Sequence, residues 1–350
     1  MPNGRFQTLM PAFAFLGLFV LVTWVMYLGQ TILIPLAFAV VAAFVLWRVV
    51  EWLGTVRFIG RTPLWLRHMV VLVIFIVGLV VMAIQIRVNI EVLVERLPIY
   101  QTNIIQFLDG MLIRFGLDEQ WADGIAELMF GQFNTQAIAR SALAALGSLG
   151  GLILLVILYT VFLLIEYTGF VKKLHLAVRD SAGVDRILTI SRHVNERIGG
   201  FLAVKTLVNI ILALVSYVAM LLLGIELAGF WAIVIGVLNY IPYLGSIIAV
   251  AFPVLTTLAQ SGSLRETVVA LVVLTLIQVI VSWAVEPPLI GRRLNLSPLV
   301  VLLSLASWYA LWGLSGAVLA IPMTVIILSI LGAIDATRPI AILLSNDGRA

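Results

Sequence analysis

Residues 227–264 read LAGFWAIVIGVLNYIPYLGSIIAVAFPVLTTLAQSGSL, a run of 38 residues without a charge. As one helix it would measure about 57 Å, nearly twice the hydrocarbon core of a bilayer at about 30 Å. The run is interrupted near its middle by Asn239-Tyr240-Ile241-Pro242-Tyr243-Leu244-Gly245-Ser246. Pro242 has no N–H to continue a helix and frees nearby carbonyls. Two readings follow: two full spans joined by a tight loop, or a re-entrant hairpin whose tip stays at membrane depth. The hairpin is favoured. The arm Leu227 to Ile241 reaches about 22 Å as a helix, short of a crossing, and the tip lacks the Lys or Arg of a cytoplasmic turn. A second run, Leu294 to Ile334, has 41 uncharged residues and is interrupted by Leu311-Trp312-Gly313-Leu314-Ser315-Gly316, so it reads the same way.

The whole chain has this character. Of 350 residues 63% are hydrophobic and 11% charged, and the mean hydropathy is +1.17. A soluble protein needs a more charged exterior, so the chain is an all-α polytopic membrane protein. Disorder, a nucleic-acid-binding domain and a disulfide scaffold are excluded. The net charge of +4 reflects basic loops between apolar runs. With no cysteine, thiolate chemistry and Cys-based metal sites are absent.

About six full transmembrane helices and two re-entrant hairpins account for the runs. Arg5 to Arg48 encloses 42 uncharged residues, enough for two crossings with a turn at Gly29-Gln30. A third span runs from Met69 to Ile86, a fourth from Ser141 to Ile165, a fifth from Gly200 to Ile225 and a sixth from Thr267 to Val285. Residues 87–140 are amphipathic, with a net charge of −3 and breaks at Pro98 and Gly116. They read as a small extracytoplasmic helical layer in which Asp118 caps a helix bearing Trp121, Ile125, Leu128 and Met129. Residues 166–197 are net positive and read as cytoplasmic. The organisation expected is helices 1–3 over 1–86, the outer segment over 87–140, span four and a cytoplasmic loop over 141–198, a transport domain over 199–334 and a tail over 335–350. Both termini are cytoplasmic.

The transport domain repeats itself. At an offset of 69 residues Asn209 meets Gln278, Tyr240 meets Tyr309, Ser246 meets Ser315 and Pro253 meets Pro322. A span plus a hairpin, twice, over 199–264 and 267–334, is an inverted-topology repeat typical of secondary transporters, with substrate at the broken helices near the midplane. The substrate site expected is Asn239, Tyr240, Pro242, Gly245, Gly313, Ser315 and Gly316 between opposed tips, with Asn209 and Gln278 reaching in. Lys205 and Glu286 are the ionisable residues within spans, where each is costly unless paired or hydrated. With Pro287 and Pro322 they are the candidates for coupling and gating. Lys205 could equally snorkel to the interface, and Glu286, next to Pro287-Pro288 at a helix end, could pair with Arg292 or Arg293. Gly313-Leu314-Ser315-Gly316 has the form G-x-S-G, yet His68, His175 and His193 all lie at or beyond span ends, so protease chemistry lacks its base. No nucleotide or zinc motif is present, so the chain is read as a non-enzyme without cofactor or metal.

Several motifs together resemble the autoinducer-2 exporter (AI-2E) family of bacterial membrane proteins. They are Asn239-Tyr240-Ile241-Pro242-x-x-Gly245-Ser246, Glu286-Pro287-x-x-x-Gly291-Arg292-x-Leu294, Leu299-Val300-Val301-x-Leu303-Ser304-Leu305 and Ile321-Pro322-Met323-Thr324. Leu97-Pro98-x-Tyr100 and Ile340-Ala341-Ile342-Leu343-Leu344-Ser345 extend the likeness over nearly the whole chain, which is most similar to the quorum-signal exporter branch. The sequence departs at Tyr243, where Asn is common, and at Pro288, where Arg is common. The resemblance implies an inner-membrane secondary transporter, homo-oligomeric and pentameric, with an elevator-like moving C-terminal domain. The cargo it implies is a small furanosyl molecule, autoinducer-2. Other members resemble cation/proton antiporters, so Na⁺(Li⁺)/H⁺ antiport is the alternative, although the chain has no intramembrane Asp pair. A membrane scaffold acting through residues 87–140 is the alternative of another class. Membrane lipid and a coupling ion, H⁺ or Na⁺, are the other partners expected.

Overall fold

A computed structural model describes residues 3–57, 59–114, 135–177, 183–185, 188–189, 195–290, 296–334, 337–346 and 348. Its described residues are helical, without a strand, and seven helices are long and apolar enough to cross a membrane. Helix α1 spans Asn3–Leu28 and α2 spans Gln30–Thr55. Only Gly29 separates them. Its N–H donates to the Val25 carbonyl at 2.8 Å and its carbonyl accepts from Leu33 at 2.8 Å, so helical bonding reaches the joint from both sides. The turn expected at Gly29-Gln30 is a one-residue bend.

Helix α3 is one element of 51 residues, Leu64–Arg114, about 77 Å long. It runs through Pro98, so the break expected there is absent. One lost i→i−4 bond costs less than ending a helix that both flanks favour. The portion beyond the bilayer therefore leaves the span as a continuous rod. Gly116, Asp118, Trp121, Ile125, Leu128 and Met129 lie outside the described residues. Helix α4, Thr135–Ala177, has 43 residues and packs against α2 and α3.

The C-terminal part begins with a π turn, Asn195–Gly199, that leads into α5, Gly200–Leu222. Next come α6, Ala228–Leu238, and α7, Leu244–Ser261, packed on each other. With 11 residues α6 is about 16 Å long, too short to cross alone. Helix α8, Leu264–Ile280, opens with Ser263 accepting from the Glu266 N–H. It continues through a π turn, Val281–Val285, into α9, Glu286–Ile290. The helix therefore does not end at Glu286. Widening to a π turn accommodates Pro287 and Pro288, which lack N–H groups and would clash with the preceding turn. Helix α10, Pro298–Ala333, is kinked at Trp312 and Gly313, and α11 is Arg338–Leu344.

The two interruptions are built alike. Between α6 and α7, Tyr243 has φ +61°; within α10, Gly313 has φ +59°. A side-chain carbon on Gly245 would fall 1.8 Å from the Leu238 carbonyl oxygen, and one on Gly316 would fall 1.9 Å from that of Trp308. Each tip thus closes by pressing a glycine onto the last turn of the incoming arm. These pairs are spaced by 70 and 71 residues, so the tips correspond one or two residues beyond the offset of 69 that aligns Pro253 with Pro322.

The largest apolar core joins α5 to α8 and α10 over α2, around Leu212, Met220, Leu274, Ala249 and Leu319, all 2% exposed or less. Large apolar side chains such as Leu222, Trp283 and Trp65 point outward, as lipid-facing residues do.

Candidate functional site

The expected site residues of the first repeat do converge. Helix α5 presents Lys205, Thr206 and Asn209 at i, i+1 and i+4, one face of a helix. Across from it, α8 with its π turn presents Gln278, Ser282 and Glu286 in steps of four. The end of α6 places Asn239 between the two stripes. Asn239 Nδ2 donates to Asn209 Oδ1 at 2.8 Å, and Gln278 Nε2 donates to Asn239 Oδ1 at 3.0 Å and to Ser282 Oγ at 3.1 Å. Asn209, Asn239 and Gln278 are 3%, 7% and 7% exposed. Three carboxamides and a hydroxyl thus form one chain inside an apolar core, where each unmade bond would cost about 1–3 kcal/mol. Asn209 Nδ2, at the end of the chain, is buried and has no acceptor.

Beside this chain, the Tyr240 and Thr206 hydroxyls lie 2.6 Å apart. One turn away, Lys205 Nζ meets Glu286 Oε1 at 2.5 Å, with side chains only 13% and 20% exposed. Lys205 thus pairs with Glu286 instead of reaching for the interface; Arg292 and Arg293, the other partners expected for Glu286, lie outside the described residues. Pairing within the protein satisfies both charges where water and counter-ions are scarce.

Pro242 and Gly245 shape the tip between α6 and α7. Leu244 N–H reaches back to the Pro242 carbonyl at 2.7 Å, a three-residue turn that forces Tyr243 to positive φ. Gly313, Ser315 and Gly316 sit at the break in α10. Trp312 Nε1 donates there to the Met26 carbonyl of α1 at 3.0 Å, and Trp308 Nε1 to Thr324 Oγ1 at 3.1 Å. Among the described residues no hydrogen bond links this break to Asn239 or Tyr240, and α10 packs chiefly on α1, α2 and α11. Pro322 is buried within α10, while Pro287 is exposed beside Glu286. An open, mostly apolar cleft of about 440 Å³ lies between α1 and α10, lined by Trp24, Tyr27, Ser307 and Leu311 among others, away from the amide chain.

Thr206 and Ser282 were missed from the sequence. Their signal was the four-residue stepping Gln278, Ser282, Glu286 and the pairing of Lys205 with Asn209, visible only if both stripes are known to face each other. No group of three or more His, Asp or Glu able to hold a metal occurs among the described residues.

The end of this region formed by residues 224–226 and 259–260 is clasped by α3. Tyr100 Oη donates to Glu226 Oε2 at 2.6 Å, and Arg96 lies 3.8 Å from the same carboxylate. Asn103 Nδ2 caps the Ala259 and Gln260 carbonyls at the end of α7, both at 2.9 Å. Gln260 accepts from the Glu226 N–H and donates to the Gly224 carbonyl, tying the two mouths of α6 and α7 together.

Seven candidate spans, a short apolar helix that stops inside them and a buried polar chain at its end define a multi-pass membrane protein that handles a solute. Residues 15–336 match the AI-2E family transporter model, and the chain belongs to that family, one of transporters and not of enzymes. It is 28% identical over 334 residues to the AI-2 transport protein TqsA of Escherichia coli (strain K12), covering 95% of this chain and 94% of that protein. A candidate transport protein of Borreliella burgdorferi is 29% identical over 74% of this chain and 70% of its own. The transport protein YrrI of Bacillus subtilis (strain 168), likewise a candidate, is 25% identical over 85% of both.

Proposed function

We propose that this transporter exports a small, polar, hydroxylated metabolite, autoinducer-2, across the bacterial inner membrane as a secondary carrier. The observation that carries this reading is the buried chain Asn209–Asn239–Gln278–Ser282 at the end of a helix too short to span, because a broken helix that ends on polar groups among spans is how secondary carriers build a solute site. The name of the full-length relative TqsA supports the cargo. In this reading α6–α7 and the two arms of α10 are re-entrant hairpins of an inverted repeat, and residues 199–334 move against α1–α4 in an elevator-like step. Copies assemble through residues 1–166 as a homo-oligomer, a pentamer, with both termini cytoplasmic.

Pro242, Gly245, Gly313, Ser315 and Gly316 frame the path at the two breaks. Lys205 and Glu286 separate and re-form as the domain moves, coupling it to an H⁺ or Na⁺ gradient. Cation antiport is the weaker reading, because Asn209, Asn239, Gln278 and Ser282 carry no charge and Glu286 is paired with Lys205 rather than with a second carboxylate.

Purified protein in proteoliposomes loaded with autoinducer-2 tests the proposal. Wild type should release it faster than empty liposomes, with a dependence on an imposed ion gradient. Asn239→Ala removes two bonds and strands Asn209, while Gln278 keeps Ser282, a loss of about 1–3 kcal/mol. It should slow flux severalfold or more while the protein still assembles. Wild-type flux indistinguishable from protein-free liposomes would remove autoinducer-2 as the cargo.

A further inference from the structure

The elbow between α2 and α3 gathers positive charge. Arg48, Arg57, Arg61 and Arg67 face a single carboxylate there, that of Glu51. Both of its oxygens are already occupied. Oε2 accepts from Arg48 at 2.8 Å, and Oε1 accepts from the Trp47 indole at 2.9 Å. Among the described residues Arg57, Arg61 and Arg67 have neither an ion pair nor a side-chain hydrogen bond. Arg57 and Arg61 are exposed, and water solvates them.

Arg67 differs. Its side chain is partly buried, and Nε has neither surface nor acceptor, while both Nη groups keep surface. The guanidinium lies on Gly54 in the last turn of α2, where an added side-chain carbon would fall 2.3 Å from Arg67 Nη1. Gly60 presses on the same residue. A carbon added there would fall 2.4 Å from the Gly54 carbonyl oxygen, and the Gly60 N–H donates to the Val56 carbonyl at 2.7 Å. The linker thus folds back on Gly54 and brings Arg61, the neighbour of Gly60, to the corner that holds Arg67. A charge drawn partly out of water without a counter-ion is costly, so this corner is built for an anion from outside the chain.

We propose that the α2–α3 elbow binds the phosphate of an anionic phospholipid headgroup, with Arg67 as the fixed contact and Arg57 and Arg61 closing over it. A guanidinium offers parallel N–H donors that match two phosphate oxygens, and the open Nη edge of Arg67 is reachable without any rearrangement. A lipid, and not a soluble anion, is favoured by the flanking aromatics. Trp52 in the last turn of α2 and Trp65 in the first turn of α3 are 64% and 66% exposed, and exposed indoles at span ends sit at headgroup level. Three unpaired cations repel the ammonium of a zwitterionic headgroup, so the preference is for net negative lipids. With both termini cytoplasmic, as proposed above, the elbow faces the leaflet whose anionic lipids attract arginines next to a span. Just beyond it, Leu46, Val50 and Val71 pack with Leu164 of α4, so a lipid held at the elbow braces the contact of α2, α3 and α4.

Thermal unfolding of the full chain in neutral detergent tests this, with phosphatidylglycerol, phosphatidylcholine or inorganic phosphate added at equal concentration. Phosphatidylglycerol should raise the wild-type Tm by a few degrees, and the other two should not. Arg67→Lys keeps the charge and loses the fork. Gly54→Ala keeps every charge and displaces the Arg67 guanidinium. Each should lose most of the shift measured from its own baseline. Arg87→Gln removes one charge about 30 Å further along α3 and should keep the shift. Should Arg67→Lys or Gly54→Ala fail to fold, the exposed pair Arg57→Gln with Arg61→Gln takes its place and should also lose the shift. An equal shift with inorganic phosphate would assign the corner to a free anion and overturn the lipid. No shift with phosphatidylglycerol, an equal one with phosphatidylcholine, a full shift in any elbow variant, or its loss in Arg87→Gln would overturn the site.

Discussion

Lys205 and Glu286 show how much a single contact changes the meaning of two residues. Apart, each is a charge with an uncertain place in a helix; at 2.5 Å and largely buried they are one neutral unit. Breaking a buried pair from one side leaves an uncompensated charge and costs about 3–5 kcal/mol, whereas replacing both partners together is close to neutral. Glu286→Gln should therefore lower stability more than the double variant Lys205→Met/Glu286→Gln. Thermal unfolding of the two singles and the double, read as a double-mutant cycle, checks this, and equal or additive losses would mean the pair is not coupled. If the pair also couples transport, Glu286→Gln loses the pH dependence of flux, not only its rate. Tyr243 is the other informative residue. Its φ of +61° in a three-residue turn is strained for a side chain of this size, by about 1–3 kcal/mol. Tyr243→Gly should raise the unfolding temperature by a few degrees with flux little changed, because glycine has no side-chain carbon to clash at φ +61°, ψ −57°. An unfolding temperature lower than wild type would show that the exposed ring contributes more than the strain removes.

At the scale of elements, the long rod α3 meets the α6–α7 unit through Tyr100, Arg96, Asn103, Glu226 and Gln260. This clasp joins the part proposed to stay still to the part proposed to move. If α6–α7 travels against α3, these bonds must open in each cycle. The chain has no cysteine, so Asn103→Cys with Gln260→Cys supplies a clean pair for a short reducible thiol cross-linker. Cross-linked protein should transport at a small fraction of its reduced rate and recover on reduction. Full-rate transport while cross-linked would mean that α6–α7 and α3 move as one body. Removing the clasp without fixing it, as in Tyr100→Phe with Asn103→Ala, should loosen this end and increase protease access at residues 224–227. Access unchanged from wild type would assign the clasp to local capping alone.

For the whole molecule, charge asymmetry predicts residues 87–140 outside and 168–197 with the C-terminus inside. Single cysteines replacing Asp118 and Lys173 should differ in labelling by an impermeant thiol reagent applied to intact cells, with only the first reacting. Equal labelling of both from outside would overturn that topology. Composition alone made the protein a helical membrane protein, because 63% hydrophobic residues leave too few polar groups for a watery surface. The interrupted runs located both helix breaks, since Pro242 and the glycines of Gly313-Leu314-Ser315-Gly316 cannot be carried through an undisturbed helix. The same local reasoning failed at Pro98 and at Glu286. There the neighbouring turns favour helix strongly enough to absorb one missing hydrogen bond, or a π turn widens the helix around two prolines. What only the tertiary structure decided is which polar groups find each other: Lys205 with Glu286, Tyr240 with Thr206, Asn209 with Asn239 and Gln278. Those pairs lie 30 to 81 residues apart and depend on the facing of three helices. Side-chain spacing along one chain fixes the face on which a group sits, while the partner is fixed by which helix packs against that face.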